Sequence, residues 1–351
     1  MAYSAISKSS LHFNTKLYTG TGSTQNITGV GFQPDLVWVK KRNNADDHSL
    51  VDAVRGVTKY LQSNSNVTEQ TYAGNVSAFG TDGFTVGDGN NVNQNTHTFA
   101  SWNWKAGGST SSNSDGSVTS TVSVNSTAGF SISKYTGTGS NLTFGHGLGA
   151  IPDWFMIKNL TVNQAWRVYH QKMTVSDPYS KRMVLSETGS DNSSALGLSA
   201  DPTASLIQID NSTGCTNANN ENFICYAWVE KKGFSKFGSY TGNGNSDGQF
   251  VYTGFKPAWI MVKVTNDADN WHMIDDKRDS FNTMDSHLYA NLNNAEYTSS
   301  SYNFDMLSNG FKPRSTNNAF NASGKPYIYM AFAAEPLVAN VGTNGIPATA
   351  R

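Results

Sequence analysis

A threefold internal repeat spans most of this 351-residue chain and constrains its fold more than any single motif. Each repeat opens on Tyr-Thr-Gly, with the tyrosine at Tyr18, Tyr135 and Tyr240. A proline follows this tyrosine by 16 or 17 residues, and six residues later comes a lysine, at Lys40, Lys158 and Lys263. Such a spacing is typical of tandem copies of one structural unit, here of roughly 90 to 100 residues.

The local patterns within each repeat are typical of short antiparallel strands. The segment Leu36-Val37-Trp38-Val39 is β-branched and aromatic, and Pro34 stands just before it, where a strand needs no ladder donor. Clusters of glycine and asparagine interrupt every such run. We therefore predict an all-β protein of three tandem antiparallel β-sandwich domains, resembling jelly rolls. The strand patterns leave jelly-roll and immunoglobulin-like orders open.

The repeat boundaries divide the chain into six segments. The linker is expected to be flexible or extended, although its Val118–Val124 half could add an edge strand. The first two repeats are therefore expected to reorient, and the second and third to pack together. The predicted segments are an N-terminal assembly arm (1–16), a first sandwich (17–106), a Ser/Thr/Gly-rich linker (107–129), a second sandwich (130–232), a third sandwich (233–338) and a C-terminal tail (339–351).

Composition disfavours several partners. With 25 Lys+Arg against 26 Asp+Glu, the net charge of −1 gives no broad attraction for a phosphate backbone or an anionic membrane. No window approaches the roughly 18 apolar residues of a membrane span. The two cysteines, Cys215 and Cys225, cannot form a disulfide framework, and Cys225 is expected to be a buried thiol. We predict no cofactor, no nucleic-acid partner and no membrane insertion.

Patterns that carry catalysis or bind metals are missing from the sequence. There is no Gly-x-Ser-x-Gly, the seven histidines include no pair at i,i+4, and none of the six glutamates reads as part of a groove-lining pair. Asp52–Arg55 and Asp275–Arg278 share a three-residue spacing, which predicts a structural ion pair or a turn at both places. Calcium in an oxygen-rich loop, such as that at Asp88, is left open. We predict a protein that is not an enzyme.

The aromatic residues fall into two groups. Those at repeat positions are predicted to form the core: Trp38, Trp104, Trp154, Trp228, Trp259 and Phe332. Those outside the repeat plan are candidate surface or glycan contacts: Trp166, Tyr169, Trp271, Tyr289, Tyr297 and Tyr302.

The repeated motifs resemble an uncharacterised β-rich repeat family found in virion proteins of tailed phages, especially aquatic ones. The resemblance covers about residues 17–351 and implies virion assembly or host adsorption, with no catalytic residues. It is carried by the segments Tyr18–Gly22, Gly31–Lys40, Asp82–Phe84, Phe99–Gly108 and Gly233–Gly244.

Several expectations follow from this resemblance. The leading one is a tail fibre or tail-associated appendage that contacts a host-surface glycan or protein and works beside other virion proteins. A homo-oligomer, taken to be a trimer, is expected because fibres gain avidity by repetition. One alternative is a capsid decoration or head-fibre protein, with residues 1–16 docked on the shell. The other is a carbohydrate-binding or glycan-hydrolysing module, and a hydrolase would need facing carboxylates in one repeat only.

Overall fold

The structure, a computed structural model, describes residues 4–173, 178–191, 197–211 and 214–336. Strands make up 42% of the structure and helices 5%, and the named strand pairs are antiparallel. The predicted all-β class with antiparallel sheets is confirmed. No helix in these ranges is long and apolar enough to cross a membrane.

The first repeat contains strands β1 to β9 and one short helix, α1. Its main sheet has the order β1-β9-β3-β4, a second sheet has the order β2-β8-β7, and β5 pairs with β6. The bounds are β1 Phe13–Thr19, β2 Gln25–Thr28, β3 Leu36–Lys41, β4 Ser49–Asp52, β5 Lys59–Tyr60, β6 Gln70–Thr71, β7 Val76–Gly80, β8 Gly83–Val86, α1 Asn90–Asn93 and β9 Thr98–Trp104.

The linker and the second repeat form one seven-stranded sheet. Its order is β10-β11-β12-β18-β14-β15-β16, and β13 pairs separately with β17. The bounds are β10 Ser111–Asn113, β11 Ser120–Asn125, β12 Phe130–Thr136, β13 Leu142–Gly145, β14 Trp154–Asn159, β15 Arg167–His170, β16 Met183–Val184, β17 Leu206–Ile209, α2 Gly214–Asn217 and β18 Asn222–Trp228.

The third repeat follows the plan of the first. Its main sheet has the order β19-β27-β21-β22-β23-β24, and its second sheet has the order β20-β26-β25. The bounds are β19 Ser235–Thr241, β20 Val251–Tyr252, β21 Phe255–Val264, β22 His272–Asp275, β23 Ser286–Tyr289, β24 Tyr297–Thr298, β25 Phe304–Leu307, β26 Gly310–Pro313 and β27 Pro326–Pro336.

The three main sheets share one strand order and a common register. In each, the closing strand (β9, β18 or β27) lies between the opening strand (β1, β12 or β19) and β3, β14 or β21, respectively. The closing aromatic residue of each repeat (Trp104, Trp228 or Phe332) pairs with the first residue of the opening strand. Each main sheet also packs one face on its own second sheet, through a separate apolar cluster in each repeat.

The opposite faces of the three main sheets share one hydrophobic core. Trp104 lies at its centre, with its ring centroid 6.2 Å from that of Trp228, 5.8 Å from Trp259 and 5.7 Å from Phe332. Because the main sheets are buried on both faces, strands such as β3 are buried along their whole length. The three repeats therefore pack against one another around a common core.

Hydrogen bonds between the repeats close this arrangement into a ring. The last residue of the second core strand (β4, β15 or β22) contacts the closing strand of another repeat. The first repeat contacts the second in this way, the second contacts the third, and the third contacts the first. The contacts are Tyr226 Oη to Asp52 Oδ2 at 2.7 Å, His170 Nε2 to Tyr329 O at 3.3 Å, and Trp102 Nε1 to Asp275 Oδ2 at 3.1 Å.

Two arginines and three lysines in the interior have local partners. Arg55 pairs with Asp52, and Arg278 Nε lies 2.6 Å from Asp275 Oδ2, so an ion pair is confirmed at both places. Cys225 is fully buried, as predicted. The three repeat lysines are also fully buried and donate to backbone carbonyls, from Lys40 to Lys41 O at 2.7 Å, from Lys158 to Asn159 O at 3.1 Å and from Lys263 to Val264 O at 2.8 Å.

The structure differs from two expectations about the predicted segments, the separate arm at 1–16 and the flexible linker at 107–129. The described part of the 1–16 segment is built into the fold, because β1 begins at Phe13, whose ring stacks on Phe332 at 4.8 Å, and Ile6 is buried. The 107–129 linker does add an edge strand, as its valines indicated, but β11 fixes it against β12 and the first two repeats share a core. They are therefore not free to reorient. The predicted tail, 339–351, lies outside the described residues.

Candidate functional site

The structure separates the six predicted surface contacts into two groups. The surface prediction is wrong for three of them, because Trp166 and Trp271 have no exposed area and Tyr169 is 3% exposed. Tyr289 is 9% exposed but lines a surface pocket. Tyr297 is 48% exposed and Tyr302 is half-buried.

Trp166 and Trp271 are buried because they join neighbouring repeats. Each stands immediately before the second core strand of its main sheet, where the first repeat has His48. All three side chains bond through a ring nitrogen to a backbone carbonyl of another repeat: Trp166 Nε1 to Gln62 O at 2.8 Å, Trp271 Nε1 to Val184 O at 3.0 Å and His48 Nε2 to Tyr289 O at 2.9 Å. Sequence reasoning treated these tryptophans as loop residues.

Tyr169 is buried for a different reason. It lies inside β15, opposite Phe155, and the two rings stack at 4.6 Å. The strand pattern of Arg167–His170 was the signal available in the sequence. Neighbouring residues of a strand face opposite layers, and both layers here are apolar, so Val168 and Tyr169 are buried on opposite faces.

The six predicted core aromatics are all buried, at 2% exposure or less: Trp38, Trp104, Trp154, Trp228, Trp259 and Phe332. One of them is offset from the repeat. Trp154 and Trp259 pair with the closing aromatics of their repeats, whereas in the first repeat Leu36 holds that position. Trp38 instead pairs with Trp102, two residues further along.

Three predicted contacts converge on one surface pocket, which we call the tyrosine pocket. Tyr289, Tyr297 and Tyr302 line it, and its volume is about 660 Å³. Ala45 of the first repeat also lines it, so the pocket lies at the boundary between the first and third repeats. Its full lining is Ala45, Tyr289, Asn294, Ala295, Glu296, Tyr297 and Tyr302.

The tyrosines that line this pocket contact one another and the residues beneath them. The rings of Tyr297 and Tyr302 meet edge to face, with centroids 6.1 Å apart. Tyr302 also packs on the buried His272 ring at 5.5 Å, which fixes the pocket floor. Burial raises the pKa of Tyr289 and of Tyr302 above the ordinary value of 10.0, so both hydroxyls stay protonated and able to donate at neutral pH.

Glu296 holds the pocket wall across the repeat boundary. Its carboxylate lies 2.7 Å from Arg42 Nη2 in the first repeat and 3.1 Å from Arg278 Nη1 in the third. Burial alone would raise the pKa of Glu296, but the hydrogen bond from Arg42 and the charge of Arg278 lower it. The carboxylate is therefore ionised and engaged in positioning the wall.

Within the described ranges, no group of three or more His, Cys, Asp and Glu is placed to hold a metal ion. In the oxygen-rich loops where calcium was left open, Asp88 accepts a hydrogen bond from Tyr72 Oη at 2.9 Å, and Asp247 pairs with Lys312 at 2.6 Å.

Sequence reasoning missed a pair of carboxyl groups. Asp276 and Glu335 line one cleft of about 590 Å³ between the first and third repeats. Burial raises the pKa of Asp276 to about 6 and also raises that of Glu335. The register places Ala53 and Gln171 where the third repeat has Asp276, and Gly107 and Lys231 where it has Glu335. This difference between aligned repeats was the signal that could have found the pair.

The chain belongs to DUF7483, a domain family of unknown function, whose profile matches residues 8–336. The match takes in all three repeats and the linker as a single domain, in keeping with their shared core. No curated protein matches the chain.

Proposed function

We propose that this protein is a non-enzymatic structural component of a phage virion, a tail fibre or tail-associated appendage that attaches to the host surface. The observation that carries the attachment role is the tyrosine pocket, an exposed aromatic site built across two repeats of a body with one shared core. The sequence resemblance supplies the virion context. With it we propose that each repeat is a jelly-roll-like sandwich unit, that the protein forms a homo-oligomer and that it contacts other virion proteins.

The pocket suits a host glycan. Tyrosine rings offer an apolar face to the carbon-bound hydrogens of a sugar, and their hydroxyls can exchange hydrogen bonds with sugar hydroxyls. Asn294 adds an amide that both donates and accepts. Because Arg42 and Arg278 neutralise Glu296, the pocket carries no free negative charge that would repel acidic surface polysaccharides.

Replacing Tyr297 by alanine is expected to weaken retention on a host-polysaccharide column by about tenfold or more, because the variant loses the most exposed ring in the pocket. Tyr297→Phe keeps the ring and is expected to retain most of the binding. Trp166→Ala and Trp271→Ala are unsuitable tests, because these residues are buried between repeats.

The matched control is Tyr252→Ala, which removes another exposed tyrosine, 55% exposed, that lines a different cleft and not the tyrosine pocket. It is expected to leave retention unchanged. Equal retention for wild type and Tyr297→Ala, with unchanged thermal stability, would remove the pocket from the attachment hypothesis.

Immunogold electron microscopy of purified particles tests the location. With an antibody raised against residues 233–351, we expect label along the tail or at its tip. Label spread over the head would replace the appendage with the capsid-decoration alternative. Unlabelled particles, with the protein abundant in lysate and the epitope accessible, would contradict both.

The glycan-hydrolase alternative gains one supporting observation, the Asp276–Glu335 pair in the third repeat alone. A glycosidase needs one carboxyl protonated and the other ionised, whereas burial raises the pKa of both groups here. The cleft also lacks an exposed ring, since its one aromatic residue, Phe13, is 1% exposed. Release of reducing ends from host polysaccharide by wild type, lost in Asp276→Asn, would favour hydrolysis over simple binding.

A further inference from the structure

The three opening strands have equivalent outer edges, and within the described part of the chain a further strand covers one of these edges. In the second repeat β11 pairs along β12 and is itself flanked by β10. In the first and third repeats, β1 and β19 are the outermost strands of their main sheets. A cleft of about 590 Å³ lies along β1 and one of about 630 Å³ along β19.

The position of β11 beside β12 shows which kind of strand pairs with such an edge. It is an extended, uncharged strand of sequence Ser-Thr-Val-Ser-Val-Asn that pairs antiparallel with β12. Ser123 lies opposite Ile132, and its Oγ accepts a hydrogen bond of 3.0 Å from the backbone N–H of Gly107. Gly107 follows the closing strand of the first repeat, so β11 lies between two repeats.

The cleft along β1 occupies the equivalent place between the first and third repeats. Thr15 stands where β12 has Ile132, and Glu335 stands where the first repeat has Gly107. Three buried oxygens of this cleft have no hydrogen-bond partner among the described residues: Thr15 Oγ1, Asp276 Oδ1 and Glu335 Oε2. Thr15 itself is only 4% exposed. A buried acceptor without a hydrogen bond is unfavourable, so we expect a donor to bind these oxygens.

The remaining polar groups of the cleft do not supply that donor. Lys277 is 51% exposed, and its Nζ lies 3.9 Å from Asp276 Oδ1, beyond hydrogen-bond distance. Glu335 also accepts a backbone hydrogen bond from Ser9, and Ser10 Oγ donates to its other oxygen, Oε1, at 3.5 Å, but Oε2 has no partner among the described residues. Lys16 also lines the cleft, where its ammonium lies near Gly29. In the β19 cleft, the carboxylate of Glu230 already has a cationic partner, since it lies 2.7 Å from Lys236 Nζ.

We propose that the β1 edge binds an extended strand of another polypeptide, which adds to the main sheet as β11 does and carries a lysine or arginine opposite Thr15. Its backbone pairs with β1, and its cationic side chain donates to the free oxygens of Thr15, Asp276 and Glu335. Strand addition gives affinity through main-chain hydrogen bonds and selectivity through the alternate side chains. A buried carboxylate favours a cationic donor over a neutral one.

Synthetic peptides test this proposal on the full chain. The parent peptide has the sequence of residues 118–126, and two further peptides carry lysine or glutamate in place of Ser123. We expect the lysine peptide to bind about tenfold or more tightly than the parent and the glutamate peptide to bind least, measured by fluorescence anisotropy. A photo-crosslinker on the lysine peptide is expected to label β1.

Variants of the cleft provide the controls. Glu335→Gln and Asp276→Asn keep the shapes of these side chains and are expected to reduce the preference for the lysine peptide to within about threefold. Glu230→Gln, in the β19 cleft, is the matched control and is expected to leave the preference intact. A lysine peptide methylated on alternate backbone nitrogens is expected to lose binding, because it cannot extend the ladder.

Three results would overturn the proposal. They are no binding of any peptide at millimolar concentration, equal binding of the lysine and glutamate peptides, or crosslinking confined to residues outside β1. Crosslinking to β19 would assign strand addition to the other open edge and remove the role of Asp276 and Glu335.

Discussion

Replacing Trp104 by alanine is expected to lower the free energy of unfolding by about 3–5 kcal/mol, because it opens a cavity at the centre of the shared core. The ring of Trp104 contacts Trp228 of the second repeat and Trp259 and Phe332 of the third. The loss is therefore expected to reach every repeat. Chemical denaturation gives its size, and hydrogen exchange in β9, β18 and β27 shows where stability falls.

The matched control for this variant is Phe281→Ala, which removes a ring that is 74% exposed and is expected to change stability by less than about 0.5 kcal/mol. The prediction concerns cooperativity as well as magnitude. If exchange accelerates only in the first repeat of Trp104→Ala, while the other two keep their protection, the repeats unfold as separate domains and the shared core does not couple them.

Stability is expected to rise from pH 8 to about pH 10. Burial lowers the pKa of Lys40, Lys158 and Lys263 from 10.5 to about 8. In the unfolded chain these lysines keep their protons until about pH 10.5. Between those values the unfolded state binds more protons than the folded state, so the free energy of unfolding increases with pH. The gain is about 2 kcal/mol per lysine.

Urea denaturation at pH 7, 8, 9 and 10 measures this rise. Above about pH 10 it reverses, because burial raises the pKa of tyrosines such as Tyr135 and the unfolded chain then loses their protons first. We expect each single lysine-to-methionine variant to remove about a third of the increase in the free energy of unfolding with pH. The variants are Lys40→Met, Lys158→Met and Lys263→Met. Lys59→Met, at a position 44% exposed, is the control and should leave this increase as it is. If the free energy of unfolding of the wild type stays constant between pH 8 and pH 10, burial does not lower the pKa of these lysines.

The repeats allowed the all-β class and the buried aromatic residues to be predicted from the sequence. They did not predict that the three repeats share one hydrophobic core. Tyr-to-closing-residue spacing located each main sheet, and Trp104, Trp228 and Phe332 were placed correctly in the interior. Continuous apolar strands such as β3 indicate burial on both faces, but they do not say what covers each face. Packing between repeats depends on contacts as distant as Asp275 with Trp102, and local patterns carry no information on them.

The candidate site could be predicted only in part, because contacts between repeats leave no local pattern in the sequence. Position outside the repeat plan identified Tyr289, Tyr297 and Tyr302, which line one pocket. That rule failed for Trp166 and Trp271, since residues outside the plan also serve the boundaries between repeats. Their counterpart in the first repeat is His48, whose chemistry differs although its hydrogen bond is equivalent, so identity-based comparison of the repeats does not reveal them.

The closed ring of contacts also bears on how such a protein can diversify. In a ring of three identical subunits, a substitution appears three times and every interface changes together. Here the three positions lie on one chain, so His170 stands in the second repeat where the first and third have Asp52 and Asp275. Among the strands that the structure describes, a further strand covers the outer edge of the second repeat but not those of the other two. Each boundary can therefore acquire its own chemistry by mutation while the other two keep the ring closed.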